Sequence, residues 1–222
     1  MTLRRRVAAG AISLSLIGAV AVGCTSPQAG GDSDPPAGTT AVRRDPAAAT
    51  ILEAFAGLAV DYDPFESPDA LAQASAHVVE ATVSAFSPGR KLVITGTDDQ
   101  TATTVVIELV DPLVITGDER HSFYVELGPP APGDPQTYSE IMPAGTRVLV
   151  YVREAWDGTN PADESLEDPA AGRPEGEPLF ALTNPQSFVV QAADEQLVWP
   201  LLGERREGTL DEAAPGGDQW AK

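Results

Sequence analysis

The chain has 222 residues, 42% of them apolar, and carries 33 acidic against 14 basic side chains for a formal net charge of −19. That balance excludes the classes of function that rest on neutralising phosphates, since nucleic-acid binders and polybasic membrane-surface proteins need clustered Lys and Arg. Cys24 is the only cysteine, so no disulfide forms within the chain and stability rests on an ordinary apolar core.

The N-terminus carries the strongest signal. Arg4, Arg5 and Arg6 precede residues 7–22, which are apolar or small and uncharged, and Ala21-Val22-Gly23 leads directly into Cys24. This is a charged region, an apolar region and a small-residue cleavage site in the order of an export signal. The apolar run is 16 residues long, short of the roughly 20 that span a bilayer as a helix. The segment resembles the lipobox of bacterial lipoproteins, with Ala21 standing where leucine is commoner. That resemblance implies a signal peptide over 1–23, lipidation (a diacylglyceryl group, often joined by a further acyl chain such as palmitate) at Cys24, and a protein held on the outer face of the cell membrane. Several acyl chains, at about 0.8 kcal/mol per buried CH₂, anchor far more stably than one. Residues 1–23 contain three of the basic residues and none of the 33 acids, so the remainder is more acidic still. Attachment then falls to the lipid, while the surface suits cations or basic partners, or serves solubility alone.

Residues 24–46 are rich in Gly, Pro, Ser, Thr and Asp and read as a flexible tether. A single domain is expected over 47–204. Residues 47–60 would open it with a short helix, Leu52, Phe55 and Leu58 lying near helical spacing. Ser67-Pro68-Asp69 predicts a helix start, with Ser67 as cap and Pro68 at the first helical position, running to about Ala76. Strands follow over 77–86, 91–95, 102–115, 121–127 and 146–153, and a hairpin over 186–191 and 196–200. In 146–153 the alternation of Val148, Val150 and Val152 assigns the inward face. Pro112 marks a bend, a bulge or an edge. Residues 128–139 form a Pro-rich loop, and 154–178 form an acidic loop with eight acids and Arg173 as its one basic residue, expected to be dispensable for folding. Residues 205–222 are polar, contain Pro215-Gly216-Gly217, and are expected to be a disordered tail.

The order of these elements resembles a group of small exported actinobacterial proteins, through residues 76–83 (AHVVEATV) and 144–152 (AGTRVLVYV). Both segments are similar to netrin-like, OB-type barrels, although the cysteines of netrin-like domains are missing here. The resemblance covers residues 65–202. It implies a mainly β fold, a small OB-like, partly open barrel with one or two short helices, a β-sandwich being the alternative. It transfers no catalytic residue.

No motif specifies a reaction. His77 and His121 are the only histidines, without metal-binding spacing, and a zinc site needs three or four ligands. Asp61, Asp63 and Glu66 lack the glycine and terminal glutamate of a calcium loop. No nucleophile motif of the GxSxG, SxxK or HExxH kind occurs, and no carboxylate pair stands out for glycosidase chemistry. The acidic loop supplies the candidate cation or partner contacts, Asp157, Asn160, Asp163 and Glu164, beside Trp156, an amphipathic aromatic suited to a sugar ring or a partner surface. The sequence thus predicts a non-enzymatic binding or structural module with no cofactor, acting on a protein or cell-wall partner. The alternatives it leaves open are a calcium-binding surface protein and an exported hydrolase with a carboxylate site.

Overall fold

Two long strands frame the fold: β1 (His77–Ile94) and β2 (Gln100–Thr116) form an antiparallel hairpin that serves two structures at once. Their halves nearest His77 and Thr116 belong to a barrel, and the halves nearest Ile94 and Gln100 extend beyond it as an arm. This computed structural model describes residues 46–56, 62–94, 100–128, 134–158, 164–193 and 195–221. The expectations for Cys24, Leu58, Asp61, Asn160 and Asp163 lie outside the described residues, as does all of the leader and nearly all of the tether.

The barrel closes through five strands. β2 pairs antiparallel with β3 (Ser122–Leu127), and β3 runs parallel to β6 (Leu179–Leu182). β6 pairs antiparallel with β4 (Arg147–Glu154), and β4 returns to β1 with Val79 opposite Val150. This circuit is the Greek-key arrangement of an OB-like barrel. The fold is therefore mainly β, as the apolar patterning predicts. β7 (Phe188–Ala192), β8 (Gln196–Trp199) and β9 (Glu204–Glu207) continue the sheet outward from the free stretch of β4's second edge. β6 and β7 thus share that edge, separated by a 3-10 turn at Pro185–Ser187 that Asn184 caps through the Gln186 amide, 3.0 Å away.

The interior follows the period-two rule. Val79, Ala81 and Val83 from β1, Val105, Ile107 and Leu109 from β2, Phe123, Val125 and Leu127 from β3, and Val148, Val150 and Val152 from β4 meet in one core. Helices plug it. α1 (Ala48–Ala54) contributes Ile51 and, one residue beyond, Phe55, whose ring lies 5.3 Å from that of Tyr138 on α3 (Pro135–Ile141). α3 begins inside the segment expected to be a Pro-rich loop, residues 128–139, and runs two residues past it. Asp134 caps it by accepting from the Gln136 amide at 3.0 Å, and Pro135 occupies the first helical position. The same Ser/Asp-Pro signature marks α2 (Pro68–Gln73), where Ser67 Oγ accepts from the Ala70 amide as predicted.

A second core lies on the outer face of β4. Leu149 and Tyr151 pack with Leu71 of α2, Val189, Leu197, Trp199, and residues of the C-terminal segment. That segment corrects the expectation of a disordered tail: it forms β9 and α4 (Leu210–Ala213) and buries Leu210 and Trp220. The Tyr151 hydroxyl donates to the Ala213 carbonyl at 2.7 Å, the Trp220 indole donates to the Phe65 carbonyl at 2.8 Å, and Gln186 Nε2 donates to the Ala221 carbonyl at 2.7 Å. Polar composition misleads here because a few apolar residues, spaced along a capped turn, suffice to dock the whole segment.

The 154–178 segment also differs from a free loop. β5 (Glu164–Glu167) adds to the arm as a third strand beside β1, with Leu92 opposite Leu166. Gly172 then lies so close to β2 that an added Cβ would stand 2.5 Å from Val106 Cγ2. Among the described residues no helix is long and apolar enough to cross a membrane.

Candidate functional site

The arm, β5 and the outer face of β2, β3 and β6 enclose an open cleft of about 490 Å³. Its floor begins with a local irregularity in β1. Between Pro88, opposite Val105, and Lys91, opposite Thr103, the register shifts, so β1 holds one residue more than β2. Pro88 lacks an amide proton and Gly89 lacks a Cβ, which would otherwise stand 2.2 Å from Thr104 Oγ1. A bulge re-aims the side chain that follows, and here it turns Arg90 onto the barrel wall.

Arg90 and Glu126, 5% and 9% exposed, form a two-pronged ion pair with Nε–Oε1 at 2.9 Å and Nη2–Oε2 at 2.5 Å. Thr104 Oγ1 donates to Glu126 Oε1 at 2.8 Å and lies 3.1 Å from the Arg90 carbonyl. The remaining Arg90 nitrogen, Nη1, donates to the Trp156 carbonyl. One guanidinium therefore joins β1, β3 and the start of the 154–178 segment. Every strong group is satisfied, which is what burial of charge requires. The positive charge extends further: burial first, then the Arg90 charge, press the Arg173 guanidinium below its ordinary range, while Glu126 opposes them.

The walls are of mixed character. Leu92 and Leu166 face each other across β1 and β5, and Gly158 runs against Leu166, where an added Cβ would lie 3.3 Å from Cδ1. Trp156 is half-buried along the same run of chain, its indole N–H buried without a partner among the described residues. Arg153 and Glu154, at the end of β4, also line the cleft, and both are exposed. Arg153 makes no side-chain hydrogen bond or ion pair among the described residues, whereas Glu154, opposite Phe180, falls on the barrel phase of the strand and acts on His77.

The structure brings only part of the expected site together. Trp156 lines the cleft. Asp157 is exposed beside it, and Glu164 pairs through its backbone with Ile94 in β5. No group of three or more His, Cys, Asp or Glu side chains disposed to hold a metal ion is present among the described residues. His77 is buried at one end of the barrel, its ring edge-on to Phe123 and Phe180 at 5.4 and 5.1 Å, while His121 is exposed. Sequence reasoning passes over Arg90, Glu126 and Thr104. Glu126 falls on the outward phase of β3, where an acid looks solvated, and the pattern of β3 alone does not reveal that the outer face is covered. The available signal is the Pro88-Gly89-Arg90 interruption inside a strand of a chain with 14 basic against 33 acidic residues.

Comparisons of this chain with family profiles, with curated proteins and with solved structures give no match.

Proposed function

We propose that this chain is an exported lipoprotein, held on the outer face of the cell membrane by acyl chains on Cys24, and that its OB-like domain is a non-enzymatic binding module. The observation that carries the binding role is the cleft over the Arg90–Glu126 pair. It has an internally neutralised floor, and it has lining groups, Trp156 and Arg153, whose side chains make no hydrogen bond among the described residues. Its volume of about 490 Å³ falls within the roughly 300–1,000 Å³ of small-molecule sites. Binding rather than catalysis suits this chemistry. Both oxygens of Glu126, the buried carboxylate of the site, already accept from Arg90 or Thr104, so neither is free to act as a base.

The anchor half of the proposal rests on the charged, apolar and small-residue segments ahead of Cys24. Cys24→Ser removes the thiol that accepts the lipid. Fractionated cells should then release the protein from the membrane pellet; retention with the leader cleaved overturns the anchor. The cleft half is tested by photo-crosslinking in intact cells, with a photoreactive residue at Leu92 and, as the control, at Glu207 on the outermost strand. Adducts from Leu92 that are missing from Glu207 support a ligand site, and equal or no capture from both positions overturns it.

A further inference from the structure

The lining of the cleft specifies its ligand more narrowly, on the reading that the cleft is a ligand site. Four charged residues line it, Arg90, Glu126, Arg153 and Glu154. Arg90 and Glu126 cancel each other, and both Glu126 oxygens are occupied by Arg90 or Thr104. Glu154 lies on the barrel phase of β4 and acts on His77. Arg153 remains. It is opposite Ala181, which is in turn opposite Glu126, so the three share the outer face of β4, β6 and β3. Arg153 is exposed and makes no side-chain hydrogen bond or ion pair among the described residues, so the cleft presents one unspent positive charge. The rest of the wall is apolar. Half-buried Leu92 and Leu166 stand side by side across the β1–β5 pair, joined by Ala181 and Trp156, and Gly158 carries the chain along Leu166.

One free cation beside an apolar wall calls for a ligand with an anionic end and an apolar body. A small anion would have Arg153 alone to offset the repulsion of a chain of net charge −19, so burial of the apolar body supplies most of the affinity. A polypeptide suits this wall poorly. Leu92 lies on β1 between β5 and β2, and Ala181 lies on β6 between β3 and β4, so the strands beneath spend their backbone groups on one another. A peptide laid on these faces would strip water from its own N–H and C=O groups with no ladder to join. An acyl chain carries no such groups. We infer that the cleft binds a single-chain anionic amphiphile, with its acyl chain along Leu92, Leu166 and Trp156 and its carboxylate or phosphate on the Arg153 guanidinium. Arg suits either head group, because its planar fork donates to two oxygens at once. Free fatty acids and lysophospholipids are the two sources of that chemistry.

Contact quenching of Trp156 tests this on the full chain held in nanodiscs of zwitterionic lipid. A chain-brominated fatty acid and a chain-brominated lysophosphatidate are the anionic probes. A brominated alkanol and a brominated alkyltrimethylammonium of equal chain length are the neutral and cationic ones. Bromine quenches an indole that it touches, and Trp156→Phe gives the background from Trp199 and Trp220, which are both buried. At least one anionic probe should quench Trp156 at roughly tenfold lower concentration than the neutral and cationic probes, and the stronger of the two anions names the source. Arg153→Met should erase that difference while keeping a melting temperature close to the parent's. Leu113→Ser, on the exposed end of β2, should preserve it. No quenching of Trp156, equal quenching by all probes, or an anion preference that survives Arg153→Met overturns the amphiphile assignment. The crosslinking experiment separates that failure from failure of the cleft. If Leu92 traps a protein while no probe quenches, the cleft is a ligand site and the amphiphile assignment alone falls; if it traps nothing and no probe quenches, both readings fall.

Discussion

The barrel interior and the cleft face are built from the same strands by different chemistry. Along β4, Val148, Val150 and Val152 point to the barrel core, and even the outward residues Leu149 and Tyr151 are fully buried in the second core. On the outer face of β2 and β3 the contacts are a two-pronged ion pair, a threonine hydroxyl and a glycine lying directly on a valine. Apolar burial supplies stability in proportion to area and tolerates some repacking. A buried ion pair adds little net stability but fixes geometry, because its partners fit in one arrangement. The interior thus holds the domain together, and the outer face holds the cleft in shape.

The sharpest way to break the first region is Val150→Asp. Val150 is fully buried between Val79 on β1 and Phe188 on β7, and an unpaired charge there costs several kcal/mol, a large share of the ~5–15 kcal/mol that a domain possesses. Loss of cooperative unfolding is the expected result. Arg153→Asp, three residues on and exposed, should cost less than about 0.5 kcal/mol. Equal melting temperatures for the two variants would refute the register.

The second region breaks differently. Arg90→Ala leaves Glu126 buried without its partner and should cost about 3–5 kcal/mol, whereas the volume-preserving double variant Arg90→Met/Glu126→Leu should recover most of that loss. The barrel should stay folded in the double variant while the cleft loses its rigid floor. A double variant no more stable than Arg90→Ala, judged by urea denaturation, would mean that the pair stabilises the fold directly and that the contrast between the regions is false.

What the sequence reveals divides along the same line. Alternation in HVVEATV, ATTVVIEL and TRVLVYV places the barrel strands and their inward residues, since the inward positions from Val79, Val105 and Val148 onward are apolar at period two, with His77 at the barrel's end the polar exception. Where burial is two-sided, as at Leu149 and Tyr151, alternation is silent about the outer face. Elements stapled by a few contacts stay hidden too: β5 is ESLE, β9 is ERRE, and both read as solvated charge until a neighbouring strand is supplied. The cleft is the least legible part. Its residues, Arg90, Thr104, Glu126 and Trp156, come from four separate segments and converge only through the barrel's closure, and only Trp156 attracts notice in the sequence by its chemistry.

Gly172→Ala gives a smaller and more local break. The residue has φ of +81°, and a Cβ would stand 2.5 Å from Val106 Cγ2. The left-handed backbone costs a non-glycine residue about 1–2 kcal/mol, and the crowding adds to it. Stability should fall by about 1–3 kcal/mol, and amide exchange should quicken in β5 and residues 168–177 well before the barrel strands. A variant as stable as the parent would return the segment to the status of a dispensable loop.

The mildest prediction concerns pH and the one buried histidine. His77 lies among the rings of Phe123 and Phe180, and its Nδ1 accepts from the Asp118 amide at 3.2 Å, which fixes the neutral tautomer with the proton on Nε2. Burial first, then the charge of Arg120, which lies over the Phe180 ring, lowers its pKa below the ordinary 6.5, with Asp118 and Glu154 opposing. The unfolded chain then binds more protons than the folded one between the folded value and 6.5, so stability rises with pH across that window. The contribution is complete above 6.5 and is lost as pH falls toward the folded value. Melting temperatures should therefore decline on acidification in this range for the parent and stay nearly flat for His77→Phe, whose ring joins the same aromatic cluster without a proton to bind. Parallel declines in the two proteins would place the acid sensitivity elsewhere than in the His77 end of the barrel.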